Sequence, residues 1–211
     1  MRNRKRVMVA DDAANLALDA RDNGSRINHE ALLAYANGLG TVVQAGFYYP
    51  RNNGMERDRS QLIALKQAAA FTLLEVRPVR TRPDGTYKSD IDTVITMDVW
   101  EAAVKGTVEV VVLASGDSDF LPLVERLVAQ GIETHVIGPD GGTAIELAMA
   151  ASTFAYTSQV PGLVQPVNSP AAPATVRQAQ VECTVERVGS NGNGACTGHQ
   201  PFPAPSLQKP N

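Results

Sequence analysis

Along the first three quarters of the chain, short continuous apolar runs take turns with amphipathic stretches. Residues 7–10 (Val-Met-Val-Ala) form the first run and predict a strand, followed by a helix from Ala13 to about Arg21. Asn28 is a good N-cap for a second helix through Ala36, which Asn37-Gly38 should stop. Residues 41–49 are rich in β-branched and aromatic side chains, and Pro50 should end that strand. A helix over about 60–70 leads to a third strand over 72–80. Pro83-Asp84-Gly85 makes a turn, because proline presets φ and glycine accepts a positive φ. A helix over 89–105 then precedes Glu109-Val-Val-Val-Leu-Ala114, apolar after its first residue and suited to a central strand covered on both faces. Helix 121–130, strand 132–137, helix 143–151 and a short strand near 154–156 complete the series. Strand alternating with helix predicts an α/β fold with a mainly parallel sheet and helices on both faces.

From about Gln159 no period is sustained. Pro161-Gly162, Pro166, Ser169-Pro170, Pro173, the run 189–194 (Gly-Ser-Asn-Gly-Asn-Gly) and Pro201, Pro203 and Pro205 interrupt every apolar stretch. Such a segment buries too little apolar surface to offset its ordering entropy. The chain is therefore read as a domain over 1–158 and a disordered, low-complexity tail over 159–211, with residues 175–188 at most a transient element.

With 211 residues, 44% of them hydrophobic, the chain can bury one α/β core and leave a segment over. The net charge of −3 excludes a broadly cationic protein that coats duplex nucleic acid. Arg177, Arg187 and Lys209 against Glu182 and Glu186 give the tail +1, leaving −4 on the domain. No apolar run reaches the roughly 20 residues of a membrane helix. The basic start, Arg2 to Arg6, is followed by too short an apolar run for a secretory signal, which needs about 7–15 residues. The expectation is a cytoplasmic protein without membrane contact. Cys183 and Cys196 are too few for a disulfide scaffold, and with His199 they lack both compact spacing and a fourth ligand for zinc.

Acidic residues gather where strands end. The first strand runs into Asp11-Asp12, with Asn15 soon after, and the central strand runs into Ser115-Gly116-Asp117-Ser118-Asp119-Phe120. In a parallel sheet those ends share one edge, where ligands collect. Asp92, early in the 89–105 helix, can reach the same edge. Carboxylates brought together repel one another, and a divalent cation removes that difficulty; all-oxygen donors select Mg²⁺ or Mn²⁺. Such a cluster can polarise a phosphoryl oxygen and activate water. The plainer reading makes Asp117 or Ser115 an N-cap of the next helix, and Asn15 a side chain bonded to backbone. Asp90 is read as solvated. Asp98 falls on the apolar stripe with Ile91, Val94 and Ile95 and needs a partner that the sequence does not name. His29 and His135 are assigned to packing or surface. With no Ser or Cys paired to a His, covalent acyl chemistry has no support.

Arg51, Arg57 and Arg59 follow the second strand; Arg77, Arg80, Arg82 and Lys88 flank the third and its turn. Arg80, Arg82 and Lys88 are expected beside Asp92, where cations bordering an acidic cluster suit a threading phosphate backbone. Tyr48, Tyr49 and Tyr87 are candidates to stack an unpaired base. An ordinary solvated basic rim is the alternative.

These residues resemble the NYN domain, the PIN-like branch that includes the bacterial LabA/DUF88 proteins. Val9-Ala-Asp-Asp-Ala-Ala-Asn15 is similar to its first-strand Asp-x-x-Asn segment, and Arg77-Pro-Val-Arg80 with Lys88-Ser-Asp-Ile-Asp92 to its basic strand and Lys-Gly-x-x-Asp element. Ser115-Gly-Asp-Ser-Asp-Phe120 resembles its most specific motif; Leu147, Ala150 and Phe154 fit its closing helix and strand. The resemblance covers about 5–157 and implies a three-layer α/β/α PIN-like, Rossmann-like domain. It implies metal-dependent RNA cleavage, with an acidic site at Asp12, Asp92, Asp117 and Asp119 and support from Asn15 and Ser115. Ala13 and Ser89 stand where the family usually has glycine.

The leading expectation is an endoribonuclease for single-stranded RNA, with Asp12, Asp92 and Asp117 holding Mg²⁺ or Mn²⁺, and Asp119 completing the cluster or orienting water. The alternative is a non-catalytic RNA- or protein-binding regulator of the LabA type, using its tail as a tether to a protein partner; self-association stays open. A Toprim-like or phosphatase-like reading ranks last. Toprim pairs its Asp-x-Asp with a Glu after the first strand, where Asp12 stands, and the dehalogenase-type phosphatases need alternating acids on strand one, where Asp11-Asp12 are adjacent.

Overall fold

A computed structural model of the chain describes residues 4–51, 71–78, 80–81 and 87–167. In chain order the elements are β1 (Arg6–Asp12), α1 (Ala13–Asp22), β2 (Ser25–Ile27), α2 (His29–Leu39) and β3 (Thr41–Arg51). Then come β4 (Leu73–Pro78), β5 (Arg80–Thr81), β6 (Tyr87–Lys88), α3 (Ile91–Val104) and β7 (Val110–Ala114). A 3₁₀ turn at Ser118–Phe120 leads into α4 (Leu121–Ala129), followed by β8 (Glu133–Gly138), α5 (Ile145–Ala150) and β9 (Thr153–Tyr156). A second 3₁₀ turn, Thr157–Gln159, precedes β10 (Val164–Pro166). The expected helix at 60–70 and the Pro83-Asp84-Gly85 turn lie outside the described residues.

Six strands form one sheet in the order β4-β3-β1-β7-β8-β9, every neighbouring pair parallel. Alternating side chains split the core between its faces. Val7 and Val9 of β1, with Val110 and Val112 of β7, pack with Leu16 of α1 and Leu32 and Ala36 of α2. Met8, Ala10, Val111 and Leu113 pack instead with Ile95 and Val99 of α3 and Val124 and Leu127 of α4. This is the expected three-layer α/β/α arrangement. The apolar β1 and β7 runs are the two central strands, buried on both faces, as continuous apolar strands of parallel sheets are.

The chain builds β1, β3 and β4 outward in one direction, then returns to the other side of β1 and builds β7, β8 and β9 outward in the opposite one. The order reverses between β1 and β7. A crevice opens beyond the carboxyl ends of strands at such a switch point.

Three boundaries differ from the sequence expectations for physical reasons. α2 runs through Asn37-Gly38 to Leu39, whose side chain packs on the α1/α2 core; tertiary burial outweighs the glycine penalty of about 1 kcal/mol. β3 includes Pro50 and Arg51, which pair with β4 beyond the point where its β1 partner ends at Asp12. With no β1 residue left on that side, the proline's missing N–H costs the ladder nothing there. Order also continues past 158: Val160 and Leu163 are buried in the α1/α2 core, the Leu163 carbonyl accepts from the Asn28 amide (2.7 Å), and β10 pairs antiparallel with β2. Residues 160–166, assigned to the tail on their proline and glycine content, are in fact anchored by these two apolar side chains. Among the described residues no helix is long and apolar enough to cross a membrane.

Candidate functional site

At the switch point β1 ends at Asp12 and β7 is followed at once by Ser115. Asp12 caps α1, its Oδ1 accepting from the Asn15 amide (3.4 Å). Its Oδ2 accepts from the Ser115 hydroxyl (3.0 Å), which bridges the two central strands. The Asn15 side chain reaches the other way: Oδ1 accepts from the Gly116 amide (2.9 Å). Gly116 is enclosed; a Cβ there would lie 2.8 Å from Pro139 Cδ and 2.9 Å from Thr143 Cα. Its carbonyl accepts from Ala144 N (3.0 Å). The glycine thus lets the β8–α5 loop close directly onto the strand end.

Ser115 Oγ also accepts from the Asp117 amide (3.3 Å), and Asp117 Oδ1 accepts from the Asp119 amide (2.9 Å), capping the 3₁₀ turn. The capping role and the candidate site role therefore coexist in Asp117. α3 brings Asp92, in its first turn, to the same place. Carboxylate oxygens of Asp92, Asp117 and Asp119 all lie within 4.8 Å of one another.

Of the four expected acids the structure thus gathers three, with Asp12 outside that set and joined to it through Ser115 and Asp117 N. Burial, opposed by the Ser115 and Asn15 hydrogen bonds and reinforced by the charges of Asp92 and Asp11, pushes the Asp12 carboxyl up to about 7. Burial and then the charges of Asp117 and Asp119 hold Asp92 above the ordinary carboxylate range. Among the described residues no lysine, arginine or histidine pairs with any of these four acids. An all-oxygen donor set with unrelieved mutual repulsion fits a divalent cation. The acidic triad is able to hold one.

The expected phosphate contacts are only partly in view. Arg80 and Lys88 are opposite each other on the antiparallel β5–β6 ribbon, which leads directly into α3. Their side chains, that of Tyr87 and all of Arg82 lie outside the described residues. Tyr48 corrects an expectation: it is fully buried and stacks no base, its hydroxyl donating to Asp98 Oδ2 (3.0 Å). Tyr49, half-buried, stacks parallel to Phe47 on the other face. Asp98 therefore has its missing partner, fifty positions away in sequence.

Two histidine pairings escaped sequence reading. Asp11, pointing to the opposite face from Asp12, is fully buried against His29, Oδ2 to Nδ1 2.5 Å, with the imidazole edge-on to Phe47. Burial lowers the His29 pKa, but the Asp11 charge and hydrogen bond prevail and leave it raised. His135 is held between Tyr35 Oη and Glu133 Oε1, both at 2.9 Å. The signal for the first was an acid at an inward position of an apolar strand, with a histidine at the start of α2.

No curated protein matches the chain. Among solved structures, a protein of unknown function from Vibrio parahaemolyticus is similar at 26% identity and a TM-score of 0.64, over 74% of this chain and 94% of that one. The family model described as the NYN domain matches residues 6–158, from the first residue of β1 to the second 3₁₀ turn. The chain therefore belongs to the NYN domain family, and its parallel sheet with acids at the switch point is a PIN-like nuclease fold.

Proposed function

We propose that this protein is an endoribonuclease of the LabA branch that cleaves single-stranded RNA with Mg²⁺ or Mn²⁺. One observation carries the reading: three carboxylates within 4.8 Å, one from α3 and two from the turn after β7, at the ligand edge of the sheet, with no basic side chain among the described residues to balance them. Asp92 and Asp117 would hold the cation from two sides of the crevice, and Asp12 would add its charge from the end of β1. A divalent cation in that position supplies charge neutralisation and polarises a phosphoryl oxygen.

The chain's own groups do the rest. Asp119, the most exposed of the triad, would orient the attacking water and take up its proton. Asn15, its Oδ1 engaged by Gly116 N, presents its amide hydrogens as donors without adding charge. Ser115 fixes Asp12 against Asp117. Arg80, Arg82 and Lys88, immediately before α3 in sequence, would position the flanking phosphates. Water would add to phosphorus as Asp119 takes its proton, and the bond from phosphorus to the ester oxygen would break. That oxygen would take a proton from solvent, and one phosphodiester would become a phosphomonoester and a hydroxyl.

The test is cleavage of an unstructured RNA with Mn²⁺, stopped by EDTA, with wild type and Asp117→Asn. Asparagine keeps the oxygen that caps the Asp119 amide, so the variant should retain its melting temperature and lose activity. Cutting that persists in EDTA, or an active Asp117→Asn protein, defeats the proposal. RNA binding without cleavage under either metal would instead support the regulator reading.

A further inference from the structure

The four acids at the switch point are not held alike. Asp12 accepts from Ser115 and Asn15, and Asp117 caps its own turn, on which Asp119 stands. Asp12 belongs to β1, and Asp117 and Asp119 to the turn after β7. The Asp92 side chain makes no hydrogen bond among the described residues, so its position is that of the helix carrying it. Apolar packing of Ile91, Ile95, Val99 and Ala102 holds α3 on the sheet. Such packing is non-directional and does not by itself fix how far a helix slides or turns. Among the described residues, one side-chain hydrogen bond ties α3 to the sheet: Tyr48 Oη to Asp98 Oδ2, 3.0 Å.

Tyr48 is well placed for that task. It pairs in register with Asp12 on the neighbouring strand. Its ring folds back over Gly46, where a Cβ would lie 2.5 Å from Cε2 and 2.7 Å from the hydroxyl. The fully buried ring thus has little freedom, and its hydroxyl marks a fixed height above the strand beside Asp12. Burial, then the charges and hydrogen bond of Asp98 and the charge of Glu75, keep the phenol protonated and able to donate.

We propose that Tyr48 and Asp98 are positioning residues that set Asp92 at cation-binding distance from Asp117 and Asp119, in the turn after β7. The inference rests on reading the cluster as a cation site. Partners hydrogen-bonded directly to a ligand are worth about 10–100-fold in metal affinity, and a pair acting through the helix that carries the ligand belongs at the low end of that range.

The experiment is titration of the intact protein with Mn²⁺ alone, following the free-ion electron paramagnetic resonance signal, beside melting temperatures measured in EDTA. Tyr48→Phe removes only the hydroxyl and should weaken Mn²⁺ binding about tenfold. Asp98→Asn keeps an acceptor oxygen and should bind as wild type, whereas Asp98→Leu should match Tyr48→Phe and carries the test if that variant fails to fold. Leu32→Ala, in the opposite layer, should lower the melting temperature without moving Mn²⁺ affinity. Wild-type affinity in both Tyr48→Phe and Asp98→Leu overturns the inference, as does a loss in Leu32→Ala that matches theirs. If the wild-type protein takes up no Mn²⁺, the cluster reading fails and this inference with it. Wild-type uptake with unaltered variants removes the inference alone.

Discussion

Asp12 should make the cation-free protein less stable as the pH rises, and Asp12→Asn should remove that penalty. The carboxyl is 4% exposed and has one hydroxyl and one distant backbone amide as donors. Its pKa rises from 3.8 to about 7 in the fold. A carboxyl whose folded pKa is raised contributes stability that is complete below its unfolded value and lost as pH climbs through the folded one. The loss here runs from about pH 4 to pH 7 and amounts to at most about 4 kcal/mol. In a domain of this size 1 kcal/mol moves the melting temperature by about 2–4 °C. Asparagine can keep both contacts: its oxygen accepts from Asn15 N, and its amide donates to Ser115 Oγ. The variant should therefore melt within a few degrees of wild type near pH 4.5 and up to about 10 °C above it at pH 8, both in EDTA. Contributions from His29 and Asp92 are common to both proteins and largely cancel in the difference. Saturating Mn²⁺ should raise wild type more than the variant and narrow the gap. A melting difference independent of pH, or a variant less stable than wild type at pH 8, would refute the reasoning.

Alongside the RNA-cleavage and Mn²⁺ titrations, two further outcomes are expected. Gly116→Ala places a methyl against Pro139 and the Thr143 backbone, so it should cost about 1–3 kcal/mol and lower Mn²⁺ affinity by shifting the Asn15 contact; an unchanged melting curve would show that the β8–α5 loop yields freely. His29→Ala leaves the Asp11 charge buried without a partner and should cost about 3–5 kcal/mol in chemical denaturation, largely recovered in Asp11→Val/His29→Phe. Because the His29 pKa is raised by Asp11, the stability from this pair is complete below pH 6.5 and declines as pH rises through the folded value. Equal costs for His29→Ala at pH 5.5 and pH 9 would count against it.

Elements with a strong period were legible in the chain. β7 reads as a central strand because Val110-Val-Val-Leu-Ala114 is apolar on both faces, and it is buried throughout. The acidic edge was legible for a related reason: polar residues directly after such runs must sit where strands end. What escaped was whatever depends on distance. β2 and β10 are three residues each, too short for any period, and exist through pairing with one another. The Tyr48–Asp98 contact joins strand to helix across a gap that no local pattern spans. Tyr48 looked like a base-stacking candidate because composition marks an aromatic but not its face; alternation from Met8 and Ala10, beside it on β1, places it inward. Strand order was equally hidden, yet it is what brings Ser115 to Asp12.

Asp11 and Asp12 show one electrostatic problem solved in two ways. They are consecutive, both buried, and aimed at opposite faces of the same strand. Asp11 is met from within the fold by an imidazole at 2.5 Å. Asp12 meets only a serine hydroxyl and an amide, which relieve burial too little to keep its pKa in the ordinary range. Beyond it are three more carboxylates and, among the described residues, no cationic partner. Had the fold required a neutral edge at this position, the Asp11 solution was available one residue away. An unbalanced second acid is unfavourable by itself, and a counter-ion from solution, bound at the neighbouring triad, would offset that cost. The pH dependence of stability and the affinity for Mn²⁺ are therefore two measurements of the same uncompensated charge. A substitution that flattens the first should weaken the second.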